Sequence, residues 1–500
     1  MSTQPRAKAP AVPVPHRLYI GGEPVAGAGE IIRVTNPGTE ETVAEFAGAS
    51  DTQVQAAIAA ARRAHDSEVW SEFPSSARAE VLRQLMAYLA SQRERLVELA
   101  VREAGCPLNS GTMGAQVHAP LQHGLEMIDL FLKLPEFEEN PLSFAERLTP
   151  RGGVLQSLRR YVPIGVVAAI SAYNFPFYTN LWKVLPALMA GNCVILRPNP
   201  LTPLAALIFG EAAEAARLPP GVLNVVADAR AMGGVMLSTD PRVDMVAFTG
   251  SSIVGKQVMA QASATLKRLQ LELGGKSAQI YLPDSLSAAR MAAAQVCLSH
   301  AGQGCALGTR IFVPEVEKTQ AIDAMVAAFA QVRIGDPADP ATTLGPVISA
   351  AQRARCQRYV DLAVAAGARV ACGGKPPASP AKGFYFEPTI LDTPDNQNPA
   401  AREEIFGPVV SVIGYRDLNH VVEMANDTEY GLSGYVHGKD LKQAIAVAKR
   451  LRTGTVNVNG GLLSAHASSG GWRASGIGRE RGIEGLRVYQ QIQSMNISGA

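Results

Sequence analysis

Between residues 165 and 271, short apolar runs alternate with longer amphipathic stretches, and that rhythm admits few folds. The runs are 165–171 (GVVAAIS), 193–197 (CVILR), 222–226 (VLNVV), 243–248 (VDMVAF) and 267–271 (KRLQL). Helix-like stretches at 178–190, 203–217, 230–238 and 251–263 separate them. Strand, helix, strand at this spacing predicts βαβ units and a parallel sheet. Such a sheet binds ligands at the carboxyl ends of its strands, near the point where strand order reverses.

The second half repeats the pattern less regularly. Strands are expected at 278–282, 310–314, 409–414, 433–437 and 455–459, and helices at 285–299, 318–332, 349–366 and 440–451. The segment 51–105 reads as two or three amphipathic helices, one of them Ala77 to Ala104. With 500 residues, the chain exceeds what one core holds, since cores stop growing near ~250–300 residues. At least two α/β domains follow.

Composition excludes several classes of function. Net charge is +2 and there is no basic run, so neither nucleic acid nor a membrane surface is called for. No apolar run reaches a membrane span of about 18 residues. The longest, Val184 to Leu196, is broken by Pro186 and Asn192. Residues 1–16 carry Pro5, Pro10, Pro13 and Pro15 and read as a flexible tail without the apolar stretch of a signal peptide. Cys106, Cys193, Cys297, Cys305, Cys356 and Cys372 are scattered, with no CxxC and no Cys/His metal spacing. No metal is expected, and the usage fits a cytoplasmic location.

Four short segments carry chemistry. Cys305 lies in GQGCALGTR, flanked by the small Gly304 and Ala306. A nucleophilic thiol needs such access, because a tetrahedral adduct must form on it; a buried inert cysteine is the ordinary alternative. Glu272 lies between leucines in LELGGK. Such surroundings raise a carboxylate towards a general base, unless it is simply solvated beside Lys276. Asn174, in SAYNFP, follows a strand and precedes a helix. Its amide can donate to an oxyanion or cap the helix. Finally, FTGSSIVG runs a strand through Gly250 into a helix near Ser251, which makes a phosphate cradle from free N–H groups. It is not the GxGxxG fingerprint.

Taken together and in this order, these motifs resemble the aldehyde dehydrogenase superfamily over roughly residues 17 to 495. The opening Tyr19-Ile20-Gly21-Gly22 and Asn36-Pro37, the stretch Glu404 to Val409, Asn426 with Tyr430-Gly431-Leu432, and the closing GGWRASGIGRE ending at Glu480 add to the match. The resemblance implies an α/β fold with a Rossmann-type cofactor domain (17–146 and 162–273), an α/β catalytic domain (274–486) and a β oligomerisation arm (147–161 and 487–500). The arm would be a hairpin near 147–161 plus the strand Val488 to Ile497, and would assemble dimers or tetramers.

The same resemblance implies roles. Cys305 is the expected nucleophile, Asn174 with the Cys305 N–H the oxyanion donor, and Glu272 the base that activates water. Lys183 corresponds to a lysine near the site. Tyr173, Arg197, Ser251, Val254, Glu404 and Phe406 fall where the family contacts its dinucleotide. Some positions depart from the family: Arg197 replaces a lysine, Pro200 stands where a glutamate often binds the ribose, and Ala227-Asp228-Ala229-Arg230 replaces glycines. Arginines at 197 and 230 favour a 2′-phosphate, whereas Asp228 would hold ribose hydroxyls or pair with Arg230. The expectation is NAD or NADP, with NADP accepted and slightly favoured.

On the substrate side, Phe175, Thr179 and Trp182 are expected to line the aldehyde tunnel. The loop 460–469 offers Leu462, Leu463, Ser464, His466, Ser468 and Ser469 in place of aromatics. This predicts a roomy tunnel for a medium or large aldehyde, aromatic or long-chain. These segments hold no arginine or lysine, which disfavours a terminal carboxylate on the substrate. A coenzyme A-acylating enzyme and a non-catalytic binding protein on the same fold are the alternatives. Glu272 argues against the first, and the joint presence of Cys305, Glu272 and Asn174 against the second.

Overall fold

In the computed structural model, residues 14–149, 152–285, 293–461 and 464–498 are described, those at 293–295 by their backbone alone. Most of the expected tail, Pro150 and Arg151 of the hairpin, the middle of the stretch 285–299, and Leu462 and Leu463 lie outside the described residues.

The apolar run of the first half forms an eight-stranded sheet. Its order is Gly476–Ile477, Arg268–Glu272, Met245–Thr249, Val166–Ile170, Cys193–Arg197, Leu223–Val225, Leu18–Ile20 and Glu23–Val25. The inner strands from Arg268–Glu272 to Leu223–Val225 are parallel. The strand that comes first among them in sequence, Val166–Ile170, sits in the middle. The next two lie on one side of it and the last two on the other, which is the doubly wound order. Every residue of Val166–Ile170 and Cys193–Arg197 is buried, as expected where helices cover both faces. The order reverses beside Val166–Ile170, so the loops after that strand and after Met245–Thr249 open onto the crevice.

A second sheet of seven strands runs Arg369–Cys372, Thr389–Asp392, Val409–Tyr415, Arg310–Pro314, Ala278–Tyr281, Ser433–His437 and Thr455–Val458. It is parallel except for its first edge strand. All the strands expected from apolar runs are therefore present, with ends shifted by at most two residues. The chain crosses from the first sheet to the second in residues 273–277, between Glu272 and Ala278. The carboxyl ends of one sheet thus face the amino ends of the other. A third sheet pairs Leu155–Pro163 with Gln490–Ser498 along nine positions and also takes in Phe137–Glu139.

Two expected helices differ. The single helix Ala77 to Ala104 is two, Ser75–Ser91 and Arg93–Arg102, with Gln92 at φ −91°, ψ 13° between them. The Ser91 hydroxyl donates to Tyr88 O at 2.6 Å, and such side-chain bonds compete with the helix ladder. In the stretch 285–299 the described part, Ala293–Gly302, is 3₁₀ rather than α-helical, and it kinks at Ser299, His300 and Ala301.

Glu103 shows how burial and capping combine. It is fully buried, and its two oxygens accept the N–H groups of Leu204 (2.9 Å) and Ala205 (3.1 Å) at the start of the helix Leu204–Ala215. Burial pushes its carboxyl up to about 8. Glu103→Ala leaves both donors unsatisfied, and is expected to cost about 1–3 kcal/mol in urea unfolding; an unchanged midpoint would refute the capping role.

Candidate active site

The seam between the two sheets gathers the residues singled out in sequence. From the first sheet come carboxyl-end loops carrying Asn174, Ser251 and Glu272. From the second come amino-end loops carrying Cys305, ahead of Arg310–Pro314, and Glu404 and Phe406, ahead of Val409–Tyr415.

Asn174 does not cap the helix Pro176–Met189, whose capping position is Phe175. Its side-chain Nδ2 donates instead to Gln303 O at 2.8 Å, two residues before Cys305. Its own carbonyl accepts from Gln116 Nε2 at 2.7 Å. Gln303 is anchored in turn, with Oε1 accepting from Ile348 N at 2.9 Å and Nε2 donating to His300 O at 3.1 Å. The Cys305 loop is therefore held from both sides. Cys305 itself is half-buried between Gly304 and Ala306. Burial, with the charges of Glu272, Glu404 and Glu480, pushes its thiol up to about 12.

Glycine governs the approach of the two loops. A β-carbon on Gly275 would stand 2.4 Å from Cys305 O, and one on Gly274 would stand 2.4 Å from the Glu404 carboxylate. Gly275 N donates to Glu404 Oε1 at 2.9 Å. Burial raises Glu404 to about 7 and lowers Lys276 to about 7. Phe406 adopts φ 62° and meets the Tyr173 ring edge-on at 5.9 Å.

Glu272 is buried at the end of its strand. Burial, and next the negative charge of Glu480, hold it well above the ordinary carboxylate range. A chain of polar groups leads away from it. Gln270 Nε2 lies 3.5 Å from both Glu272 Oε1 and Glu480 Oε1. Lys183 Nζ bonds Glu480 at 2.7 Å and Gln270 Oε1 at 3.2 Å. Gly470 packs against the carboxylate; a β-carbon there would be 2.8 Å from Glu272 Oε1. Lys183 thus contacts Glu480 and Gln270, a linkage that spacing alone did not reveal.

On the outer side of the crevice, Ser251 caps the helix Ser252–Ala262. The helix N-terminus has free N–H groups suited to phosphate, beside the exposed Ile253 and Val254. Gly250 N donates to Glu272 O at 3.0 Å, which ties this loop to the Glu272 strand. These features fit a dinucleotide. Pro200 stands in the turn after Cys193–Arg197. The expected Asp228–Arg230 pair is not formed. Arg197 Nε forms an ion pair with Asp228 Oδ1 at 2.5 Å and Arg197 Nη2 donates to Arg230 O at 2.7 Å, while Asp228 Oδ2 accepts Gly233 N at 3.0 Å. Arg230 turns outward to Asp51 and Glu30. A buried carboxylate takes the cation nearest along the sheet, and Arg197 on the adjacent strand is nearer than Arg230 on its own loop.

The helix after Asn174 builds an aromatic wall. Phe175 meets His300 at 5.4 Å and Tyr178 at 6.2 Å, and Tyr178 meets Trp182 at 5.8 Å. Trp182 is fully buried. The Thr179 hydroxyl is turned back onto Phe175 O at 3.0 Å. His466 is exposed, on a loop pinned to Glu480 by a reciprocal pair of 2.8 Å backbone bonds between Ser469 and Glu480. Sequence reasoning passed over Tyr178, although it lies one turn beyond Asn174, and over Gln116, Gln270 and Arg481, which no local pattern marks.

The profile of the aldehyde dehydrogenase family matches residues 25–495. The chain belongs to that family. It is 35% identical over 484 residues to geranial dehydrogenase of Castellaniella defragrans, covering 96% of this chain and 98% of that one. Among solved structures, an aldehyde dehydrogenase C cysteine-to-alanine mutant from Pseudomonas syringae, in complex with NAD+ and octanal, superposes with TM-score 0.90 at 33% identity over 96% of each chain. Betaine aldehyde dehydrogenase from Staphylococcus aureus, in complex with NAD+, gives 0.91 at 32% identity over 97% of this chain and 95% of that one. In this family member no helix among the described residues is long and apolar enough to cross a membrane, and no group of three or more His, Cys, Asp or Glu is placed to hold a metal.

The carboxylates around Cys305 make its reactivity a function of pH. Alkylation of Cys305 by iodoacetamide is expected to be slow at neutral pH and to keep rising through pH 9, because only the thiolate reacts. A positive charge brought next to the thiol should accelerate it, so NAD+, whose nicotinamide ring is positively charged, is expected to raise the rate. A plateau near pH 7 in the free enzyme would overturn this.

Proposed function

We propose that the enzyme oxidises an aldehyde to a carboxylic acid through a thioester on Cys305. What carries the reading is the bond from Asn174 Nδ2 to the peptide two residues before Cys305, in a seam that also buries Glu272.

Cys305 gives its proton to water in the crevice and its sulfur adds to the aldehyde carbon, so the carbonyl oxygen takes up negative charge. The second N–H of the Asn174 amide and the Cys305 backbone N–H stabilise that charge, each donor typically worth about 2.7–4 kcal/mol. The nicotinamide cofactor, when bound, accepts the hydride. Loss of that electron pair from carbon leaves the thioester. Glu272 then removes a proton from water as the oxygen adds to the thioester carbon, the C–S bond breaks, and acid and thiol are released. Burial keeps Glu272 basic enough for this step. A base at this place favours hydrolysis over transfer to coenzyme A.

Cys305→Ala is expected to abolish reduced-cofactor production while cofactor binding persists. Glu272→Gln should slow thioester hydrolysis more than hydride transfer, so a pre-steady-state burst of reduced cofactor appears or grows. Unchanged steady-state turnover in Glu272→Gln would remove it as the essential base.

Further parts of the reading are proposals as well. Residues 17–146 with 162–273 would hold the cofactor, residues 274–486 the nucleophile, and residues 147–161 with 487–500 would join subunits into dimers or tetramers in the cytoplasm. The small flanks of Cys305 and the aromatic wall fit a medium or large aldehyde, and the octanal complex and geranial dehydrogenase are relatives in keeping with that.

Bound NAD+ in the relatives supports NAD. NADP is proposed as a second cofactor, but the pairing of Arg197 with Asp228 moves the balance towards NAD, since that arginine is already bonded to a buried carboxylate. kcat/KM is expected to favour NAD, with Asp228→Asn raising the NADP to NAD ratio by roughly tenfold, about one charge-assisted hydrogen bond. Equal use of both cofactors by the wild type would refute the pairing argument.

A further inference from the structure

We propose that Thr112 and Gln116 are positioning residues that hold Asn174 against the Cys305 loop, by closing a hydrogen-bond circuit through both loops of the site. This role rests on the Cys305 reading above and deepens it.

The circuit begins and ends on one helical turn. Gln116 Nε2 donates to Asn174 O at 2.7 Å, 58 positions along the chain. Asn174 Nδ2 donates to Gln303 O at 2.8 Å. Gln303 N and Gln303 Nε2 both donate to His300 O, each at 3.1 Å. His300 N donates to Thr112 Oγ1 at 3.3 Å, across 188 positions. All five residues are buried, where hydrogen bonds are stronger than in water and unmade ones costlier.

The turn lets two side chains reach two loops. A short α-helical turn, Gly111–Met113, passes into a π-helical one, Gly114–His118, in which Ala119 N bonds Gly114 O. Residues four apart on a helical turn lie on one face, so Thr112 and Gln116 are presented together. Gln116 carries a cost that packing does not explain. Its Nε2 is used, but its buried Oε1 has no hydrogen-bond partner among the described residues. A buried acceptor in that state is unfavourable, and an apolar side chain of the same length would fill the space without it. What the amide adds is the bond to Asn174 O.

Thr112 acts at the other end. His300, Ala301 and Gly302 are all left-handed, with φ 51°, 53° and 74°. Two of the three carry a β-carbon that disfavours this region, and such a backbone persists only where its surroundings fix it. The bonds from His300 N to Thr112 and from Gln303 to His300 O do so at its first residue. The consequence falls on Asn174. Its backbone carbonyl is tied to Gln116 and the end of its side chain to Gln303, which sets both torsions in between. The second N–H of the amide, assigned above to the oxyanion, is then aligned before the reaction, and a donor aligned in advance costs no reorganisation in the transition state.

The test follows the single-turnover rate of reduced-cofactor formation with a panel of aliphatic and aromatic aldehydes, on wild type, Gln116→Met, Asn174→Ala and the double variant. Gln116→Met is expected to slow this step by roughly tenfold to hundredfold, as a misplacement of about 1 Å does, while cofactor Kd and aldehyde KM stay near wild type. In the Asn174→Ala background Gln116→Met should add little, because it acts through that side chain. A merely structural role would move cofactor Kd and persist without Asn174. A Gln116→Met protein as fast as wild type overturns the proposal, and so does an undiminished loss on top of Asn174→Ala. Should Gln116→Met fail to fold, Thr112 decides. Thr112→Val, which keeps the shape and removes the acceptor, should slow the same step, and Thr112→Ser should restore it; equal rates in Thr112→Val and wild type overturn the proposal. A rate unchanged by Asn174→Ala overturns the oxyanion role and this proposal with it. If no aldehyde yields reduced cofactor, it is the Cys305 reading that fails.

Discussion

The close approach of two sheet edges at Gly274 and Gly275 is the constraint on which the rest of this structure depends. Five residues carry the chain from the end of one parallel sheet to the start of another, too few for any detour. The two edges must therefore touch, and side chains at 274 and 275 would strike the Glu404 carboxylate and the Cys305 carbonyl. With glycine there, carboxyl-end loops of the first sheet and amino-end loops of the second share one crevice. Glu272, Cys305 and Asn174, the proposed base, nucleophile and oxyanion donor, come from different parts of the chain, yet one local feature sets their proximity. The bond from Asn174 to Gln303 then fixes the register between the halves.

That proximity has an electrostatic consequence. Glu272, Glu404 and Glu480 all act on Cys305 in the direction that keeps its thiol protonated. Burial alone would do the same to each carboxyl, and it does so to Glu272 and Glu404. The groups are thus poised against premature ionisation: the thiol is quiet until something in the crevice favours its anion, and Glu272 holds its proton more firmly than a surface carboxylate would. Lys183 balances one member of the set by binding Glu480. A buried cation placed directly on Glu272 would instead have lowered its basicity and weakened it as a base. Setting the lysine one residue removed, across Gln270, keeps the carboxylate hydrogen-bonded without neutralising it.

Much of this was legible in the sequence because it is local. Strands buried on both faces must be apolar throughout, so their runs stood out to within two residues, and the doubly wound order follows from their alternation with helices. The motifs around Asn174, Glu272 and Cys305 were legible for a similar reason, since each is a turn whose small or polar residues break an apolar run. What failed was of two kinds. The break at Gln92 depends on one serine hydroxyl competing with the helix ladder, a difference too small to disturb an amphipathic pattern. The short strands Glu23–Val25, Arg369–Cys372 and Gly476–Ile477 form at sheet edges, where partial exposure leaves no continuous apolar run to read.

The other failures concern pairing, and they are the ones that bear on specificity. Asp228 has arginines at 197 and 230 available, and sequence distance favours Arg230. In the sheet, however, Cys193–Arg197 and Leu223–Val225 are parallel neighbours. The residues just past their ends lie side by side, so the ion pair forms across strands rather than along the loop. Arg230, carried further out by the turn, meets Asp51 at the start of another helix. Arg481 repeats the lesson, since a residue nearly three hundred positions from Trp182 lies across its ring. Composition near a motif therefore counts the charges a site could own only along the chain. In a doubly wound sheet the decisive neighbours come from adjacent strands and returning segments.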